Sequence, residues 1–119
     1  MKKIILLTIV VMFILTPIYS NANEASYRDA WCASNNGRTE VTNDDRTRVD
    51  CVTSEYAIEF DYASKWYEAV GQSLHYGIKT GKKPGIVLIM KSTKDQKYVD
   101  RLSKAIEYYS LPITVWVVK

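Results

Sequence analysis

The segment that decides the reading is RTRVDCVTSEYAIEFDYASKWYEAVGQSLHY, residues 46–76. Polar and apolar residues alternate through Arg46–Thr53 and again through Tyr56–Asp61, the period of half-buried strands. Ser54 and Glu55 fall between them as a tight turn. That turn pairs the strands with Asp50 opposite Glu59 and Arg48 opposite Asp61. Arg48, Asp50, Glu59 and Asp61 then share one side of the sheet, while Cys51, Ile58 and Phe60 point to the other, against a helix. Ser64 to about Gly77 reads as helix, with Trp66, Val70 and Leu74 inward. Lys65, Gln72 and Tyr76 recur at i, i+7 and i+11, a stripe whose start leans over the acids.

Working outward, Glu24–Ser34 reads as a first helix ended by Asn35-Asn36-Gly37, followed by a short strand at Arg38–Thr42. On the other side, Gly77 and Gly81 are expected to stop the second helix. Ile86–Met90 is a continuous apolar run, expected as a strand covered on both faces. Ser92 or Thr93 caps a helix to about Tyr109, and Pro112 precedes a last strand, Ile113–Val118. Strand, helix, strand at that spacing is a parallel crossover. The expected order is αβββαβαβ, an α/β sandwich with a mixed central sheet flanked by helices.

Residues 1–22 read as an export signal. Lys2 and Lys3 precede an apolar run from Ile4 to Leu15, and Ser20-Asn21-Ala22 supplies small residues for cleavage. An uncleaved anchor is the weaker alternative, because the run is short of the ~20 residues a span needs. Residues 23–119 are then one domain, periplasmic or secreted, with no membrane association once the signal is removed. Export makes a Cys32–Cys51 disulfide the leading expectation, ahead of two free thiols or half a zinc site. His75 is the sole histidine, so zinc ligands are scarce.

The chain carries 16 basic and 13 acidic residues. Without Lys2 and Lys3 the two signs nearly balance, which is no nucleic-acid footprint by itself. Their distribution is uneven. Acids dominate from Glu40 to Glu68, and lysines from Lys79 to Lys97. An acidic centre beside a basic flank suits a cation site next to a phosphate backbone. Two ordinary solvated surfaces are the plainer account. Clustered, half-buried acids need a cation, a proton or an opposing base. Asp50 and Glu59 can hold a hard divalent ion, with Lys65 stabilising negative charge at a phosphate. The plainer roles are an Asp61 helix cap, an Arg48–Asp61 ion pair and a core Tyr76.

Asp50, then Glu59, then Gln72-x-x-x-Tyr76 on the next helix resembles the PD-(D/E)XK nuclease superfamily, in particular its RecB-like and Holliday-junction-resolvase-like branches. The resemblance runs over roughly residues 24–90 and implies a restriction-endonuclease-like fold with metal-dependent phosphodiester hydrolysis. It assigns Asp50 and Glu59 to the metal, Mg²⁺ or Mn²⁺, and Gln72 and Tyr76 to support, with Glu40 as a further acid. The family's lysine belongs two residues after the glutamate, where this chain has Asp61. Lys65 is its natural substitute from the neighbouring helix. The implied partner is DNA or RNA, gripped by Lys79, Lys82, Lys83 and Lys94. The competing function is a non-catalytic protein of the same fold that binds nucleic acid or a protein partner. An inhibitor or immunity-type protein also fits the size, without a motif of its own.

Overall fold

Asn23 starts the first helix by accepting a hydrogen bond from the Ser26 backbone N–H at 2.9 Å, an N-cap that satisfies one of the helix's orphan donors. The structure is a computed structural model that describes residues 23–119, so the expected export signal lies outside the described residues. The elements are α1 (Glu24–Ser34), β1 (Arg38–Thr42), β2 (Arg48–Val52), β3 (Tyr56–Tyr62), α2 (Trp66–Thr80), β4 (Lys83–Ile89), α3 (Gln96–Tyr109) and β5 (Thr114–Val118). Single 3₁₀ turns, Ala63–Lys65 and Thr93–Asp95, lead into α2 and α3. This is the αβββαβαβ order read from the sequence.

The five strands form one mixed sheet in the order β1-β2-β3-β4-β5. The first two pairings are antiparallel and the last two parallel. Two crossover helices, α2 and α3, make those parallel pairs possible. Cys51 pairs with Ile58 and Val52 with Ala57, the register set by the Ser54-Glu55 turn. Thr53 secures that turn, its hydroxyl accepting from the Tyr56 N–H at 3.0 Å.

Each face of the sheet has its own core. Toward α1, Ile58, Phe60 and Val87 pack with Cys32 and Cys51, bordered by Trp31 and Trp116. Toward α2 and α3, Ile86, Leu88 and Met90 pack with Ala69 and Leu102. Val87 and Leu88 therefore bury opposite faces of β4, which accounts for its unbroken apolar sequence. Trp31 sets its ring edge-on to Phe60 at 5.6 Å and to Trp116 at 5.2 Å.

The disulfide Cys32–Cys51 fastens α1 to β2 across a sequence separation of 19. Cross-linking a loop of that size contributes about 3 kcal/mol in the chain-entropy account. Gly37 permits it. A Cβ there would sit 2.6 Å from both sulfurs.

Three expectations need correction. Gly77 does not stop α2, which runs on to Thr80 and ends at Gly81 in the left-handed region, φ 68°. Gly77 instead lies where the helix crosses Pro84. β4 starts earlier than its apolar run and includes Pro84 opposite Ala57. β5 pairs no further back than Gly85, so the missing Pro84 N–H deprives no strand of a donor. The third correction concerns Lys65, which belongs to the 3₁₀ turn and not to α2. The Lys65–Gln72–Tyr76 stripe is thereby broken, because i+7 spacing holds only along continuous α-helix.

Candidate active site

β2 and β3 pair only at Cys51 and Val52, and beyond that the two strands part. Asp50 sits where they separate. Its Oδ2 accepts the Phe60 backbone N–H at 2.8 Å, replacing a ladder bond with a side-chain bond. On the other flank, Glu40 has a left-handed backbone, φ 51°, in the middle of β1. The β1–β2 register is the same on either side, Thr39–Cys51 and Val41–Val49, which leaves Glu40 and Asp50 opposite each other as the one pair that does not join the ladder. Beside the parting of β2 from β3, this opens a fork around Asp50.

Four carboxyl groups gather there. Glu59 and Asp61 are 6% and 5% exposed, a rare degree of burial for acids. The Glu59 carboxyl lies close enough to that of Asp50 for each to act on the other's proton. Burial first, then the Asp50 charge, push Glu59 up to about 10. Burial also raises Asp50, against the pull of the Phe60 N–H, the Glu59 side chain and Arg28. Both carboxyls therefore bind a proton more tightly than free acids do, Glu59 most of all. Asp61 is pushed up to about 7, mainly by burial and then by the Glu24 charge, with Lys65 pulling the other way. Glu24 is itself raised by burial and by Asp50.

Glu24 and Arg28 were not anticipated as site residues. They lie one turn apart near the start of α1, and only the tertiary fold carries them to the fork. Arg28 bonds Glu40 at 2.6 Å and Asp29 at 3.0 Å. Burial opposes its charge, but Asp29, Glu40 and Asp50 outweigh that and raise it. The i, i+4 spacing of Glu24 and Arg28 is the signal that marks them as one face.

Among the residues expected here, Asp50, Glu59, Asp61 and Tyr76 come together. Tyr76 is buried against Val49, Val52 and Ala57. Burial, then the Glu59 and Asp50 charges, push its hydroxyl up to about 12. Lys65 is exposed at the rim and acts on Asp61 and Glu24 through charge. Gln72 is exposed on α2. Asp61 caps neither the 3₁₀ turn nor α2, which have no side-chain cap. Arg48 pairs with Glu40 at 3.2 Å, not with Asp61.

The lysines assigned to nucleic acid do not form one surface. Lys79 pairs with Asp44, and Lys83 with Glu55 at 2.5 Å. Lys82 donates to the carbonyls of Thr53 and Ser54 at 2.8 and 2.9 Å, clamping the β2–β3 turn. Lys94 lies beyond the other end of β4, about 20 Å away along the strand.

Among the described residues, no three His, Cys, Asp or Glu side chains converge into a complete ligand set. The donor chemistry nevertheless fits magnesium, which takes one or two protein carboxylates and fills its remaining positions with water and phosphate oxygens. Asp50 and Glu59 supply that number, and their raised affinity for protons marks a place short of positive charge. The chain matches no protein-family model, no curated protein and no solved structure.

Proposed function

We propose that this chain is an exported, divalent-cation-dependent nuclease of the PD-(D/E)XK type, with a restriction-endonuclease-like fold. The observation that carries the reading is the pair of half-buried Asp50 and buried Glu59 in the fork between β2 and β3. The αβββαβ element order supports it as well. Asp50 and Glu59 would hold Mg²⁺ or Mn²⁺, which supplies charge neutralisation for a phosphodiester. Lys65, at the rim beside Asp61, would stabilise negative charge building on the phosphate oxygens. Tyr76 closes the inner wall of the fork, and Arg28 holds Glu40 beside it. The Cys32–Cys51 bond suits an oxidising compartment. No helix among the described residues is long and apolar enough to cross a membrane, which is compatible with export.

One observation favours a second reading, a nuclease fold that binds without cutting. Asp61 occupies the place of the strand lysine and is buried there. Cleavage of single-stranded DNA, duplex DNA and RNA with Mg²⁺ and Mn²⁺ separates the two. A nuclease cuts at least one substrate, and Lys65→Ala abolishes cutting while metal binding and folding persist. A wild type inert with every metal, beside an Asp61→Lys variant that cuts, replaces the first reading with the second.

A further inference from the structure

The outer face of α3 carries a cationic track of its own. Lys97, Arg101, Lys104 and Tyr108 recur at i, i+4, i+7 and i+11 of one continuous helix, so they lie within a narrow stripe. All four are exposed, Tyr108 at 82%. The stripe spans about 16 Å of helix axis. Among the described residues, none of the three bases forms a salt bridge, unlike Lys79 and Lys83 at the far end of the sheet. Three acids lie nearby. Asp95 accepts the Lys91 N–H at 2.8 Å, and Asp100 accepts from Gln96 at 3.0 Å. Glu107, at i+3 from Lys104, is exposed and leaves the stripe with a surplus of positive charge over acid on α3.

Aromatic rings accompany the charges. Lys97 Nζ and the Arg101 guanidinium lie 5.0 and 5.5 Å from the Tyr98 ring, which steadies both heads beside a flat π surface. Lys91 and Lys94 extend the basic character into the segment that precedes α3, where Lys91 Nζ stands 4.3 Å over the ring of Tyr62.

We infer that this face of α3 binds a nucleic-acid strand, the three bases contacting phosphates and the exposed tyrosine stacking on a base. Phosphate contacts position without reading sequence, and stacking tolerates any base. The inference rests on the nuclease reading, which makes a nucleic-acid strand the partner. It replaces Lys79, Lys82 and Lys83 as the principal grip, because those lysines are already engaged within the fold.

The test is fluorescence anisotropy with a labelled single-stranded oligonucleotide and its duplex, in EDTA so that no cleavage intervenes, over a salt series. Lys97→Gln/Arg101→Gln/Lys104→Gln should weaken binding roughly ten-fold or more and lower the salt slope by about two to three. Tyr108→Ala should weaken single-strand binding with little change in slope. Lys79→Gln/Lys83→Gln should change neither by as much. Circular dichroism establishes that each variant is folded. The inference is overturned if the triple variant binds as wild type does, or if the Lys79/Lys83 variant loses more. It is equally overturned if wild type binds anionic lipid vesicles and neither nucleic acid. Failure of the nuclease reading shows separately, as tight binding through α3 with no cleavage under any metal.

Discussion

Asp44 and Asp45, in the β1–β2 turn, are a few residues from Asp50, yet the two groups are held in opposite ways. Asp45 accepts the Thr47 hydroxyl at 2.5 Å and the Thr47 N–H at 3.0 Å, and bonds His75 Nε2 at 2.6 Å. Those partners, Thr47 foremost, hold it down to about 2. Lys79 likewise lowers Asp44. At the fork, Glu59 and Asp61 are buried and Asp50 half-buried, and all three are raised. The turn's acids have donors and solvent, so their charge is satisfied and their role is to fasten the turn to α2. The fork's acids are short of positive charge. A buried carboxyl cluster of that kind destabilises the fold unless something else gains from it, which is why perturbed acids mark candidate sites.

The contrast is broken most severely at Asp50. Asp50→Ala should lower metal-dependent cleavage by roughly 10²–10³-fold and abolish the heat of Mg²⁺ binding, with kcat and metal titration as the measurements. Breaking the frame that holds the fork comes next. Cys32→Ser/Cys51→Ser should cost about 3 kcal/mol in urea unfolding, since it frees α1 from β2.

The pH response sharpens the comparison further. A raised carboxyl binds its proton more tightly folded than unfolded, so its stabilisation is complete below the ordinary carboxyl range. It is lost as pH rises through about 7 for Asp61 and about 10 for Glu59. The metal-free Tm should therefore fall between pH 4 and 8, and Asp61→Asn should flatten the lower part of that fall. Asp45 runs the other way, its contribution present above the ordinary range and lost as pH falls toward about 2. Asp45→Asn should give the smallest change of the series, because the pair is exposed to solvent. A Tm that rises from pH 4 to 8 would mean that the fork's acids are as well paired as those of the turn.

Much of the frame was legible because it rests on local rules. The Ser54-Glu55 turn set the β2–β3 register, and alternation placed Cys51 opposite Ile58 on the α1 side. Alternation could not show that the ladder ends at that pair, with the Asp50 side chain taking the Phe60 N–H. Nor could it show the positive φ at Glu40, which has no glycine or asparagine to announce it. The Lys65 stripe failed because a 3₁₀ turn shifts the phase of α2 at its start. The arrival of Glu24 and Arg28 at the site depends on how α1 lies across the sheet, a packing angle that no sequence spacing encodes. The lysine flank misled for a related reason: charge density along the chain does not reveal which ammonium groups find partners on folding.

The central claim of the proposed function is that the Asp50–Glu59 pair, short of positive charge in the fold, would hold a divalent cation. The direct measurement is calorimetric titration of the purified protein with Mg²⁺ and Mn²⁺ at pH 7, in buffers of different ionisation enthalpy, which counts protons released on binding. The account predicts release of about one proton per metal in wild type, from Glu59, which is pushed up to about 10. Glu59→Gln keeps a neutral side chain of the same shape, so it should fold as well as wild type and lose the metal. Metal binding by Glu59→Gln as tight as wild type, or no binding to wild type at millimolar metal, would contradict the account.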